Sequence, residues 1–118
     1  MHPNTRACLA YIANVLVNRS AGLAVYDYSQ SKRITFTGSV NQTSVSLYDH
    51  ERHSYIAGTL SNLYDHDHKA FVSLSISGCE ISGYDFSGGH QFCGTVDGHS
   101  VTLVEYDTSH RFCYRCVD

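Results

Sequence analysis

Apolar and polar side chains alternate along most of this chain of 118 residues, and the alternation keeps step with a recurring Tyr-Asp pair. The pair occurs five times, at Tyr26-Asp27, Tyr48-Asp49, Tyr64-Asp65, Tyr84-Asp85 and Tyr106-Asp107. The eighth residue after each tyrosine is apolar or aromatic: Ile34, Ile56, Val72, Phe92 and Tyr114. A period of two is typical of a β-strand with one face on a core. Each repeat therefore predicts two strands joined by a turn.

The same pattern predicts about ten short strands in an antiparallel meander. Their expected bounds are about 24–28, 33–40, 44–50, 54–60, 62–66, 70–77, 80–86, 91–96, 100–107 and 111–117. Turn residues lie between many of them, at Asn41-Gln42-Thr43, Ser61-Asn62, Gly78-Cys79, Ser87-Gly88-Gly89 and Asp97-Gly98. Gly and Asp suit the backbone of tight hairpins. The expected fold class is mainly β, a barrel or strongly curved sheet of hairpin repeats, with one N-terminal α-helix packed on it.

The helix is predicted over about 4–19, where the alternation is missing. Asn4 or Thr5 is a suitable N-cap, and an apolar stretch follows. Because this stretch is apolar round much of its circumference, we expect the helix to be buried against the sheet or across a barrel mouth. Tyr11 and Asn14 interrupt it, which argues against a secretion signal. We therefore expect a single domain over 1–118, with its β-repeat region at about 24–117, in the cytoplasm.

Parity divides each Tyr-Asp pair between the two faces of the sheet. Asp49 shares the inward row with Leu47, so Tyr48 points outward, and we expect all five pairs to be equivalent. An inward Asp at a strand end can accept hydrogen bonds from the turn amides, which is a structural role. The outward rings are candidate binding residues, because tyrosine is frequent at interfaces and stacks on sugars. They are Tyr26, Tyr48, Tyr64, Tyr84 and Tyr106.

Histidine is over-represented, with eight residues that fall mostly at or beside turns. If the turns gather at one end of the sheet, four of these side chains are candidate metal ligands or members of a proton-transfer site. They are His50, His53, His66 and His68. The competing interpretation, which we favour, is that surface turns tolerate histidine and the repeat copied it.

Composition excludes several classes of function. The net charge of −3, with no basic run longer than Lys32-Arg33, argues against a nucleic-acid partner. Five cysteines without a secretion signal are expected to be reduced, and Cys113 and Cys116 should point to opposite faces of a strand. The chain has no nucleophile elbow, phosphate loop, dinucleotide fingerprint or H-E-x-x-H motif. We therefore expect no catalytic residue, no cofactor and no membrane partner, and we favour a protein that is not an enzyme.

The chain resembles a group of small bacterial proteins whose strands repeat Leu-Tyr-Asp-Tyr or Gly-Tyr-Asp-Tyr motifs behind a short N-terminal helix. The matching segments are Val25-Tyr26-Asp27-Tyr28, Leu47-Tyr48-Asp49-His50, Leu63-Tyr64-Asp65-His66 and Gly83-Tyr84-Asp85-Phe86. The opening Asn4-Thr5-Arg6-Ala7-Cys8-Leu9-Ala10-Tyr11-Ile12 also fits, so the likeness covers nearly the whole chain. The resemblance implies a hairpin-repeat fold and brings no catalytic residues. The chain departs from the motif by placing His or Phe at the second Tyr, which weakens a ligand role for that ring.

Three functions remain open. The first is a non-enzymatic β-repeat module that binds a small molecule or carbohydrate, or assembles with itself, through the Tyr-rich outer face. The unpaired edges of an open meander would favour a homo-oligomer. The second is a small-molecule-binding β-barrel with an internal cavity, suggested by inward glycines. Its walls would be Phe36, Leu47, Leu74, Phe92 and Leu103. The third is a metal-dependent enzyme that uses the four turn histidines.

Overall fold

One helix and ten antiparallel strands make up the fold in the computed structural model, which describes residues 1–19, 22 and 24–117. The helix α1 spans Pro3–Asn18. The strands are β1 (Ala24–Asp27), β2 (Lys32–Val40), β3 (Val45–Asp49), β4 (Ser54–Thr59), β5 (Asn62–Asp65), β6 (Ala70–Ser77), β7 (Glu80–Asp85), β8 (His90–Asp97), β9 (Ser100–Glu105) and β10 (His110–Val117). Each strand pairs with its neighbours in sequence, and β1 also pairs with β10, so the meander closes into a barrel. The predicted fold class is confirmed.

The predicted strand bounds lie within two residues of those in the structure, and several coincide with them. The largest difference is in β9, which ends at Glu105 and not at 107. Two predicted turns are displaced by one residue, because Asn62 begins β5 and Asp97 ends β8. In these two hairpins the register of strand pairing, and not the identity of the turn dipeptide, decides where the backbone hydrogen bonds between the strands end.

The helix begins earlier than predicted. Asn4 and Thr5 are not its N-cap, because His2 takes that position and its Nδ1 accepts a hydrogen bond of 3.0 Å from the Asn4 backbone N–H. Pro3 occupies the first helical position, where a missing N–H costs little. Arg19 ends the helix in the left-handed conformation, with φ 53°. In the sequence, Arg19-Ser20 followed by Gly22 predicts a helix stop, and Ser20 lies outside the described residues.

The helix fills the interior of the barrel. Residues 4–14 of α1 are all buried, and the inward side chains of the strands form one core with them. The first turn of α1 contacts the ends of β3 and β5. At the other end of the barrel, Asn18 Nδ2 donates a hydrogen bond of 2.7 Å to the Gly98 carbonyl. The prediction that this apolar helix is buried is confirmed. It lies in the lumen, packed against the inner face of the sheet, and not across a barrel mouth.

Closure and the internal helix change two of the functional hypotheses. A closed barrel has no free sheet edges, so edge pairing gives no support to a homo-oligomer. The five residues expected to wall a cavity are 1–4% exposed and pack in the same core as α1. A ligand in the lumen would have to displace the helix, which argues against a small-molecule-binding barrel with an internal cavity.

Two glycines that continue the inward rows of β2 and β4, both of them exposed, allow these strands to bend into the barrel. Gly38 and Gly58 have φ values of 136° and 135°, a backbone conformation that other residues rarely adopt. A side chain at Gly38 would also collide with the backbone carbonyl of Ser46. Such glycines allow close approach and curvature in a sheet. Their role is architectural, and they do not line an open cavity.

Candidate functional site

Five equivalent turns gather at one end of the barrel, which we call the turn rim. They comprise residues 28–31, 50–53, 66–69, 86–89 and 106–109, and each joins an odd-numbered strand to the next even-numbered strand. The first residue of each turn donates its backbone N–H to a carbonyl of the neighbouring hairpin. The fourth residue of each turn has a positive φ of 52–72°. These residues are Ser31, His53, Lys69, Gly89 and Ser109.

Glycine at the fourth position of a turn is expected to stabilise the protein. Lys69 has φ 55°, and the left-handed conformation costs a non-glycine residue about 1–2 kcal/mol. Glycine would remove this cost, although its greater conformational freedom in the unfolded chain offsets part of the resulting stabilisation. We expect Lys69→Gly to raise the free energy of unfolding by about 0.5–1 kcal/mol in urea denaturation. Lys69→Ala removes the same side chain without relieving the backbone, and an equal gain in that control would contradict the explanation.

A ring of carboxylates lies just inside the turn rim. It consists of the inward side chains at the ends of the odd-numbered strands: the buried Asp27, Asp49, Asp65 and Asp85, and Glu105, whose side chain is 13% exposed. The predicted equivalence of five Asp residues is wrong, because Asp107 is exposed in the last turn and Glu105 takes the inward position. Val104 occupies the place that Tyr has in the other four hairpins.

Four members of the ring cap the turns that follow them. In each case Oδ1 accepts a hydrogen bond from the backbone N–H of the residue two positions on. The distances are 2.9 Å for Asp27 and Asp49 and 3.1 Å for Asp65 and Asp85. The predicted structural role of the Asp residues is therefore confirmed for these four hairpins.

Arg52 pairs with two carboxylates of the ring. Its Nε lies 2.7 Å from Asp49 Oδ2, its Nη1 lies 2.8 Å from Asp65 Oδ2, and the Arg52 side chain is 7% exposed. Asp65 also accepts a hydrogen bond from the Thr5 hydroxyl on α1. Burial alone would raise the pKa of Asp65, but the hydrogen bonds from Thr5, the His68 backbone and Arg52 outweigh it and lower the pKa. Asp65 is therefore held charged, and both carboxylates are paired with Arg52, which suits a structural role.

The opposite side of the ring is paired with the first residues of the chain. The Met1 amino group lies 3.2 Å from Asp85 Oδ2, and Arg6 Nη1 lies 3.5 Å from Glu105 Oε1. Arg6 Nε also donates a hydrogen bond of 2.9 Å to the Tyr114 hydroxyl. The positive end of the α1 dipole faces the same carboxylates. The ring thus fixes the helix in the lumen.

The outer face of the turn rim carries aromatic rings. Tyr26, Tyr48, Tyr64 and Tyr84 point outward from their strands, as predicted, and each is half-buried. Each packs against the first side chain of its own turn, with ring centroids 4.7–5.0 Å apart in edge-on geometry. The fifth candidate, Tyr106, differs, because it lies in the turn after β9 and not on the outer sheet face.

The rings are densest on β3 to β6. Tyr48 faces Tyr55 across β3 and β4 with centroids 4.9 Å apart, and Tyr64 faces Phe71 across β5 and β6 at 4.8 Å. Tyr55 is 52% exposed and Phe71 is 47% exposed. The His66 N–H donates to the Tyr55 carbonyl at 3.0 Å and joins the two hairpins. We call this surface the aromatic sector; its residues are Tyr48, His50, Tyr55, Tyr64, His66 and Phe71.

The four candidate metal ligands are exposed and lie at the turn rim, but they pack against other groups. His50 Nε2 is 2.8 Å from the Thr37 hydroxyl, and His53 Nδ1 is 3.5 Å from the Tyr48 hydroxyl. The ring of His66 packs on Tyr64, and that of His68 lies 6.1 Å from the ring of His2. Among the described residues, no group of three or more His, Cys, Asp or Glu side chains is arranged to hold a metal ion. The convergence that the metal hypothesis requires is missing from this part of the chain.

The cysteines offer no paired thiols in the described structure. All five are free, and Cys113 is exposed while Cys116 is buried, on opposite faces of β10 as predicted. Burial raises the pKa of Cys116 to about 12 and raises that of Cys8 as well. Within the described residues, no helix has the length and apolar character that crossing a membrane requires.

Comparison with known proteins gives no relative for this arrangement. No family model matches the chain. No curated protein and no solved structure matches it either. The function must therefore be argued from the geometry of the barrel and of its outer surface.

Proposed function

We propose that this protein is a non-enzymatic recognition module that binds carbohydrate through the aromatic sector. The observation that carries the proposal is the pair of exposed rings, Tyr55 and Phe71, each packed against a half-buried tyrosine of the neighbouring strand. A ring that is already fixed loses little conformational freedom when a ligand stacks on it.

Hydroxyl and imidazole groups surround these rings. On the outer face, Ser46 of β3 and Ser73 of β6 share the parity of the tyrosines, and Thr37 holds the His50 ring. Binding sites for small polar molecules combine aromatic surfaces with a few placed polar groups. The apolar face of a sugar would stack on Tyr55 or Phe71, while its hydroxyls would bond the neighbouring polar side chains. Two such subsites on adjacent hairpins would add avidity for a glycan chain.

Self-association through the same rings is the alternative. Tyrosine is enriched at protein interfaces, so a second copy of the chain is a possible occupant of the sector. We favour carbohydrate, because the sector includes the imidazoles of His50 and His66 and is bordered by the hydroxyls of Thr37, Ser46 and Ser73, which can bond the hydroxyls of a sugar. We place this activity in the cytoplasm, an assignment supported by the free thiols in the described chain.

Replacing Tyr55 with alanine is expected to weaken glycan binding at least about tenfold, or about 1.4 kcal/mol. The reason is the loss of one stacking surface, and Phe71→Ala should act in the same way. A glycan array would identify the ligand, and calorimetric titration would give the dissociation constants. Tyr106→Ala is the matched control, since this ring is 55% exposed but lies outside the aromatic sector.

Two results would contradict the proposal. One is a set of glycans that bind the Tyr55→Ala protein as tightly as the native protein. The other is the absence of glycan binding together with a dimer, seen by light scattering, that Tyr55→Ala dissociates. The second result would assign the sector to self-association.

A further inference from the structure

A groove of about 550 Å³ crosses the outer wall of the barrel on β7 to β10, away from the aromatic sector. Residues that line it include Glu80, Ser82, Thr95, Thr102, Val104 and Arg111. The volume falls within the range of about 300–1,000 Å³ that is usual for small-molecule sites.

The groove exists because the last hairpin departs from the repeat. In the aromatic sector, Tyr48 faces Tyr55 and Tyr64 faces Phe71 across paired strands. The corresponding pair on β9 and β10 is Val104 and Arg111. The β1–β2 and β7–β8 hairpins keep one ring of the pair, opposite Arg33 and Gln91, whereas the last hairpin has none. A branched aliphatic side chain and a flexible one stand there, so the outer wall is hollow at this hairpin.

Unpaired charges of opposite sign stand on the two outer strands of the groove. Glu80 lies on β7 and Arg111 on β10, three strands away and two residues further along the sheet, which separates their backbones by about 16 Å. Neither side chain takes part in an ion pair with another described residue. The hydroxyls of Ser82, Thr95 and Thr102 belong to the lining of the same groove.

We propose that this groove binds a short zwitterionic peptide, with its carboxylate on Arg111 and its ammonium group on Glu80. An extended tripeptide is about 10 Å long. That length fits the distance between the Glu80 carboxylate and the Arg111 guanidinium when the two side chains extend toward each other across the groove. The hydroxyl groups would bond the polar backbone and side chains of the peptide. The site shares no residue with the aromatic sector, so it does not depend on the proposed carbohydrate function.

Three probes test this assignment by calorimetric titration: triserine, N-acetyl-triserine and triserine amide. Native protein should bind triserine, and Glu80→Gln and Arg111→Gln should each weaken binding about fivefold, as expected for exposed charge pairs. Acetylation of the peptide amine should weaken binding to the native protein, but the Glu80→Gln protein should bind triserine and N-acetyl-triserine equally. Likewise, the Arg111→Gln protein should bind triserine and triserine amide equally. Arg115→Gln is the matched control, because Arg115 is exposed on β10 but lies outside the groove lining, and it should bind triserine like the native protein.

Val104→Tyr tests the origin of the groove. The other four hairpins carry tyrosine at this position, so the barrel should accept it, and circular dichroism would check the fold. The new ring should fill the groove and weaken triserine binding more than about tenfold. The proposal is overturned if native protein fails to bind triserine at millimolar concentration. It is also overturned if Val104→Tyr binds triserine normally, or if acetylation and amidation have no effect on binding.

Discussion

Replacing Arg52 with methionine is expected to lower the free energy of unfolding by about 3–5 kcal/mol at neutral pH, because it leaves two buried carboxylates without their cation. Arg52 is 7% exposed and bridges Asp49 and Asp65 on neighbouring hairpins. Burial alone would lower the pKa of Arg52, but hydrogen bonds with the two carboxylates outweigh it and raise the pKa. The Arg52 guanidinium therefore stays charged in its buried position. One guanidinium nitrogen, Nη2, has no hydrogen-bond partner among the described atoms, which offsets part of the stabilisation.

An exposed ion pair in the same chain supplies the control. Lys32 Nζ lies 2.6 Å from Glu51 Oε1, a shorter distance than either Arg52 contact, but both side chains are about 40% exposed. We expect Lys32→Met to cost less than about 1 kcal/mol, since water screens the pair. Urea denaturation of both variants measures the difference. A cost for Arg52→Met no larger than that for Lys32→Met would show that the carboxylate ring does not stabilise the barrel.

Local pattern is enough to predict the strands, the helix and the inward row of the first four hairpins. Each of these depends on side-chain periodicity and turn chemistry within a few residues. Closure and the position of α1 were left open, because they depend on the width of the whole sheet. The inward side chains of a barrel of about eight strands fill its interior, so a barrel of ten strands leaves space in the lumen for a further element. The apolar segment 4–14 fills that room, which only the assembled barrel could reveal.

The candidate site is less completely predictable from the sequence, and each feature that the sequence does not predict has its own cause. The dipeptide Tyr106-Asp107 predicts an inward Asp107, but the parity of Leu103 places Glu105 in the inward row. Tyr55 and Phe71 lie outside the Tyr-Asp repeat, and the signal that identifies them is that each directly precedes an inward residue and so points outward. The pairing of Arg52 with Asp65 had no local signal, since it joins two hairpins through the interior.

The carboxylate ring should also make the barrel sensitive to acid. The pKa of Asp85 is lowered, like that of Asp65, because hydrogen bonds from Ser87 and the charge of the Met1 amino group outweigh the opposing effect of burial. A carboxyl whose pKa is depressed by folding stabilises the native state above its unfolded pKa of about 3.9. That contribution is lost as the pH falls through the folded value. We therefore expect the free energy of unfolding to decrease as the pH falls below about 4.

Asp65→Asn separates this effect from general acid sensitivity. At pH 7 the variant is expected to be about 3 kcal/mol less stable than the native protein, because Arg52 loses a buried partner. As the pH falls below about 4, the native protein loses the contribution of Asp65 and the difference between the two should shrink. Asp97→Asn is the control, since Asp97 is exposed and belongs to no described ion pair, and its stability should follow the native curve. Urea denaturation across this pH range measures all three proteins. Parallel curves for the native protein and Asp65→Asn would mean that folding does not depress the pKa of Asp65, and the acid sensitivity would then have to come from other groups.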